Sequence, residues 1–214
     1  MKHRTVLRLL FGAVVILMLS SCLSTEVSID VSDEQDIRLD LVYTIPRAVW
    51  ELGVFDSTSP ERAIPISERD ARETAALYPD VTLVDHTLRQ DGEIVAVSIE
   101  YSVGSAESLA DLWGWAGESR LEFDPDSGVL RIPVHGAQGP VDREQRELID
   151  EVFRDQEFSL TVRAPARVDT TGPELPDAAW DQDTVDNTAT WTAPMGPLVL
   201  YDRSAFVEVR WEVP

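Results

Sequence analysis

From Glu26 onward, apolar and polar side chains alternate with a period of two. Val27, Ile29 and Val31 share one side, and Ser28, Asp30 and Ser32 share the other. That period is the signature of a half-buried strand. Asp33 to Gln35 is a polar turn. Ile37, Leu39, Leu41 and Tyr43 then resume the alternation, so the first twenty residues of this pattern predict a β-hairpin. The same logic predicts a second hairpin. Val81 to Gln90 and Glu93 to Ser102 flank Asp91-Gly92, a dipeptide suited to turn positions that need positive φ. A third is predicted where Leu121 to Phe123 and Val129 to Val134 flank Asp124-Pro125-Asp126-Ser127-Gly128. Glu157 to Val162 reads as a further strand. Phe206 to Val213 carries Val207, Val209, Trp211 and Val213 on one face against Glu208, Arg210 and Glu212 on the other.

Helical spacing falls between these segments. Pro46 opens a short stretch through Trp50 and Leu52 to Phe55. Ser67 is placed to cap a helix whose first turn holds Glu68 and Asp70, with Ala71, Ala75 and Tyr78 on one face. Ser105 caps another, with Ala106, Leu109, Leu112 and Trp113 in a stripe. Asp142 and Gln145 have capping-box spacing ahead of Leu148, Ile149, Val152 and Phe153. From Ala164 to Pro197 the chain is acidic and punctuated by five prolines, with Asn187 to Thr192 as an embedded strand. The expected fold is α+β: an antiparallel sheet of several hairpins, three or four helices packed on one face, and a loop-rich C-terminal section. Residues 26–214 are expected to form one globular domain.

The N-terminus follows a different rule. Met1 to Arg8 carries Lys2, Arg4 and Arg8 without an acid, and Leu9 to Leu19 is an unbroken run of weakly polar or apolar residues. A run of this length suits an export signal and is short for a membrane span, which needs about 20 residues. Leu19-Ser20-Ser21-Cys22 ends it, and Cys22 is the only cysteine of the chain. These four residues resemble the lipobox of bacterial lipoproteins. The resemblance implies that residues 1–21 are a signal peptide cleaved between Ser21 and Cys22. It also implies that the Cys22 thiol accepts diacylglycerol, and that residues 22–25 form a short tether. The partner implied is a lipid bilayer, reached through acyl chains on Cys22; two or more chains make a lasting anchor. Leu23, rather than aspartate, follows the cysteine. The resemblance therefore favours the outer membrane of the cell envelope if the source has two membranes.

Charge narrows the partners further. Loss of the three positive charges of the head takes the formal charge from −21 to −24. So acidic a domain is repelled by nucleic acid and by anionic headgroups, and attachment must come from lipid. About 190 residues remain after cleavage, with ordinary apolar content. With its one cysteine committed, the domain holds together by its core and not by disulfides.

Catalytic signatures are absent. The chain has no Gly-x-Ser-x-Gly, no Gly-x-Gly-x-x-Gly, no phosphate-binding loop and no His-Glu-x-x-His. Of the two histidines in the mature chain, His86 falls in a predicted strand with Val84 and Leu88, and a satisfied, half-buried side chain is its simplest reading. His135 precedes Gly136 in a predicted loop. Asp181, Asp183 and Asp186 lack the ligand spacing of a calcium loop, as do Asp124 and Asp126. They read as solvated loop and β-turn, so no metal and no cofactor is expected. Trp113 and Trp115 flank Gly114 at a helix end and are the candidate contacts for an apolar ligand or the membrane interface; the alternative is core packing, which the Leu109-Leu112 stripe favours for Trp113 and leaves open for Trp115. Trp50, Trp180, Trp191 and Trp211 read as packing residues.

Ala164-Pro165-Ala166-Arg167-Val168-Asp169-Thr170-Thr171-Gly172 leads to Asn187-Thr188-Ala189-Thr190-Trp191. Together with the order of hairpins and helices, these segments resemble the LppM-type envelope lipoproteins. That resemblance implies lipid or envelope-glycolipid handling and supplies no catalytic residues. Members often carry a C-terminal membrane-spanning helix, whereas this sequence reaches Pro214 directly after a strand-like segment. The function expected from the sequence is non-enzymatic: an anchored envelope lipoprotein binding an apolar or lipid ligand, or an envelope partner. One alternative is an assembly or scaffolding subunit of a membrane complex, using the acidic segment Ala178 to Asn187 or an unpaired C-terminal strand. The other is a hydrolase using dispersed carboxylates.

Overall fold

The computed structural model describes residues 24–33, 35–51, 65–112, 120–124, 127–135, 142–153, 156–171, 180–201 and 204–212. The architecture is mostly β. Eleven strands are β1 (Ser24–Asp33), β2 (Asp36–Pro46), β3 (Val81–Asp91), β4 (Ile94–Val103), β5 (Arg120–Asp124), β6 (Ser127–His135), β7 (Glu157–Arg163), β8 (Val168–Thr171), β9 (Asp181–Val185), β10 (Thr188–Pro194) and β11 (Ala205–Glu212). Between them lie α1 (Arg47–Glu51), α2 (Glu68–Ala75), α3 (Ala106–Leu112), α4 (Arg143–Val152) and α5 (Met195–Val199). These are the elements among the described residues.

Two sheets result. One has seven strands in the order β3-β4-β2-β1-β7-β10-β9, and the other has four in the order β5-β6-β11-β8. The larger sheet is mixed, because β1 pairs with β7 in parallel while its other neighbours run antiparallel. Its inner face is built from the alternation seen in the sequence. One row runs Tyr101, Leu39, Ile29, Val162, Ala189 across five strands; the next runs Ile99, Leu41, Val27, Leu160, Trp191. Each fully buried aliphatic side chain contributes about 2 kcal/mol. Val207, Val209 and Trp211 of β11 and Leu130 and Ile132 of β6 join the same hydrophobic cluster. Both sheets thus share one core.

The expected α+β arrangement is therefore corrected. Helices of five to ten residues do not form a layer over the sheet. Apolar alternation located the strands, but it did not reveal that a second sheet contributes to covering the first. The C-terminal section is also less loop-like than its prolines imply. All five residues of β9 are exposed, so this strand needs no apolar side and displays none. The β1–β7 pair corrects the expectation of a purely antiparallel sheet.

Local signals behave as their chemistry dictates. Ser67 Oγ caps α2 by accepting from the Asp70 N–H, and the Asp70 carboxylate accepts in turn from the Ser67 N–H. Asp142 and Gln145 make the same reciprocal pair at α4. The Ser108 N–H donates to Ser105 Oγ at 3.1 Å, capping α3. Hydrogen bonds from Ser105 and Ser108 hold the Asp80 carboxyl below the usual carboxylate range. The second hairpin turns on Gly92 and Glu93, one residue later than expected. Gly92 takes φ +57°, which glycine adopts without strain.

Candidate functional site

The lipobox, including Ser21 and Cys22, lies outside the described residues, as do Trp113 and Trp115. The other singled-out residues are dispersed. His86 is half-buried on β3, where its Nε2–H donates to the Ile66 carbonyl at 2.9 Å. That bond ties the segment ahead of α2 to the sheet. A bulge at Val84 separates it from the side of His86: Leu83 pairs with Tyr101, Asp85 with Glu100 and His86 with Ile99. Val84 consequently points outward, 54% exposed. His135 ends β6 opposite Ala205. Asp181 and Asp183 lie on the exposed strand β9, and Asp186 occupies the β9–β10 turn with φ 52°. Asp124 ends β5 opposite Ser127, while Asp126 is outside the described residues. Among the described residues no group of three or more His, Cys, Asp or Glu side chains is placed to hold a metal ion.

The feature that sequence reasoning missed is the outer face of the large sheet. Its polar positions fall into rows once the strands are paired. Asp85, Glu100, Asp40, Ser28, Thr161, Thr190 and Asp183 form one continuous row across all seven strands. Thr161 and Thr190 hydroxyls meet at 3.2 Å. Arg38 reaches Glu100 at 3.5 Å, and Arg163 reaches Asp30 at 3.3 Å. Both ion pairs are largely exposed, so each adds little stability. Their effect is to fix the side chains of a hydrogen-bonding, acid-rich surface. Except for Asp183 on β9, these residues occupy water-facing positions of alternating strands. No signal in the sequence says that β2 and β4, about sixty residues apart, are neighbours.

Asp40 and Glu100 stand directly opposite each other on β2 and β4. Partial burial, then the Glu100 charge, hold the Asp40 carboxyl above the usual carboxylate range; Arg38 opposes the shift and Asp30 adds to it. A raised native value means that the folded state binds the proton more tightly than the unfolded chain. The Asp40 contribution is then fully present below the unfolded carboxylate range and is lost as pH rises through the raised value. Asp40→Asn is accordingly expected to stabilise the protein by about 0.5 kcal/mol at neutral pH. The gain should vanish in acid. Urea midpoints at the two pH values measure it, and an Asn variant that destabilises at both would mean that the carboxylate is held by a specific bond.

No protein-family model matches the chain, and no curated protein matches it. Among solved structures, the chain is similar to the NMR structure of the folded domain of Mycobacterium tuberculosis LppM. The two are 14% identical, the match covers 90% of this chain and 91% of the other, and the TM-score is 0.46. This is a likeness of outline, and it assigns no residue a role.

Proposed function

We propose that the chain is a lipid-anchored envelope protein that acts by binding a partner at its surface and not by catalysis. The anchor is the acylated Cys22 expected from Leu19-Ser20-Ser21-Cys22. The outer membrane is favoured by Leu23 where two membranes exist. The observation that carries the choice of surface over interior is the packing of the large sheet. Tyr101, Leu39, Ile29, Val162, Leu160 and Trp191 on its inner face are each 1% exposed or less. Side chains this enclosed leave no water-sized space beside them, and an apolar ligand needs such space. The outer face, by contrast, offers carboxylates and hydroxyls at half-exposed positions. The C-terminal strand is removed as a docking edge, since β11 is paired on both sides, by β6 and β8.

A photo-crosslinking residue at Thr161 or Thr190 is expected to capture a discrete partner in cells. The purified protein should fly in native mass spectrometry without bound lipid beyond its own acyl groups. Reproducibly co-purified lipid, released only on denaturation, together with no crosslinked species, would reverse the reading in favour of an internal ligand.

A further inference from the structure

We propose that one end of the seven-stranded sheet lies against the bilayer, so that the sheet stands on end on the membrane surface. This end is made by the start of β1, the end of β2 and the turn between β3 and β4. The inference rests on acylation of Cys22. Only Leu23 separates Cys22 from Ser24, so the Cα of Cys22 lies within about 7 Å of that of Ser24, the start of β1. Pairing then fixes what else is at that end. Ser24 faces Thr44, Thr44 faces Ala96, Pro46 faces Ile94, and Ile94 faces Asp91. Across the parallel pair, Thr25 faces Phe158, and Glu157 faces Pro194.

Two backbone bonds clasp this rim. Arg47 N–H at the start of α1 donates to the Glu93 carbonyl at 2.7 Å, and Met195 N–H at the start of α5 donates to the Gln156 carbonyl at 2.9 Å. These bonds tie the starts of α1 and α5 to the ends of the strands. Among the described side chains of the rim, Ile94 is an exposed apolar one, 42% exposed. Asp91 and Glu93 are exposed beside it, Glu157 is exposed farther along the rim on β7, and Arg47 is paired with Glu51 at 2.8 Å. An acidic rim is not drawn to anionic headgroups. The tether, rather than charge, holds it at headgroup level. β1 is ten residues long. At about 3.3 Å per residue, its far end and the turn at Gln35 stand about 30 Å from the anchored end. The outer face of the sheet, with the Asp40–Thr190 row, then faces sideways, open to partners in the compartment.

The test uses lipidated full-length protein in phosphatidylcholine vesicles that contain headgroup-nitroxide phosphatidylcholine. A fluorophore is attached through Ile94→Cys, through Glu93→Cys as a second rim position, or through Gln35→Cys. Acylation leaves Cys22 without a free thiol, so each label is unique. Quenching several-fold stronger at 94 and 93 than at 35 is expected. Equal or reversed quenching on vesicle-bound, acylated protein would overturn the orientation while leaving the anchor intact. Protein that fails to float with vesicles and carries an unmodified Cys22 would overturn the anchor itself, and the orientation with it.

Discussion

Gly128→Ala should destabilise the protein by about 3 kcal/mol, a large cost for one methyl group. Gly128 sits opposite Trp211 in the β6–β11 pair. A Cβ on Gly128 would overlap the Trp211 ring at Cζ2 and Cε2. The ring has nowhere to retreat. Trp211 is 2% exposed, and its strand is flanked on the other side by β8, where Val168 is its partner. The indole lies over the bare glycine backbone and fills the place of the missing side chain, a device that lets glycine persist in a strand. Urea unfolding should show a lower midpoint with an unchanged slope. Combining Gly128→Ala with Trp211→Leu should cost clearly less than the two single changes added together, since the second removes the atoms the first strikes. Additive costs would mean that the ring does not occupy this position.

Trp191→Ala should cost about 4 kcal/mol, whereas Trp191→Phe should cost about 1 kcal/mol or less. Trp191 is fully enclosed, between Leu160 on β7 and Gln182 on β9 in register. Truncation to alanine leaves a cavity in the shared core. The indole also carries a buried Nε1–H with no hydrogen-bond partner among the described residues, as does Trp180. An unmet buried donor costs about 1–3 kcal/mol. Phenylalanine keeps much of the ring contact and removes that donor, so its two effects oppose each other. Thermal or urea denaturation of the pair of variants separates them. Equal losses for Phe and Ala would show that the indole N–H is bonded in solution, with a buried water as the simplest acceptor.

How much of this was legible in the sequence follows from what each signal reports. Val27, Ile29 and Val31, with Ile37, Leu39, Leu41 and Tyr43, declared their strands because one face meets core and the other meets water. The caps at Ser67 and Asp142 were readable because their partners lie three residues away. β9 was hidden because Asp181–Val185 is exposed on every residue and so has no apolar period. The bulge at Val84 was hidden because it is a misfit between two strands and not a property of either. Pairing of β1 with β7 joins segments more than a hundred residues apart, and nothing local records it. The same limit applies to the outer face. Asp40, Glu100, Thr161 and Thr190 alternate with apolar neighbours on their own strands, but their assembly into one row depends on strand order. Cys22 was legible for the opposite reason: a lipid-attachment signal is read by enzymes as linear sequence.

Both the placement at a bilayer and the orientation of the sheet follow from the chemical state of Cys22. Intact and N-terminal peptide masses of protein recovered from its own membranes measure that state directly. The expected mature chain begins at Cys22 and carries the mass of a diacylglycerol on its thiol. A mature chain that retains Leu19-Ser20-Ser21, or one that begins at Cys22 with a free thiol, would contradict it.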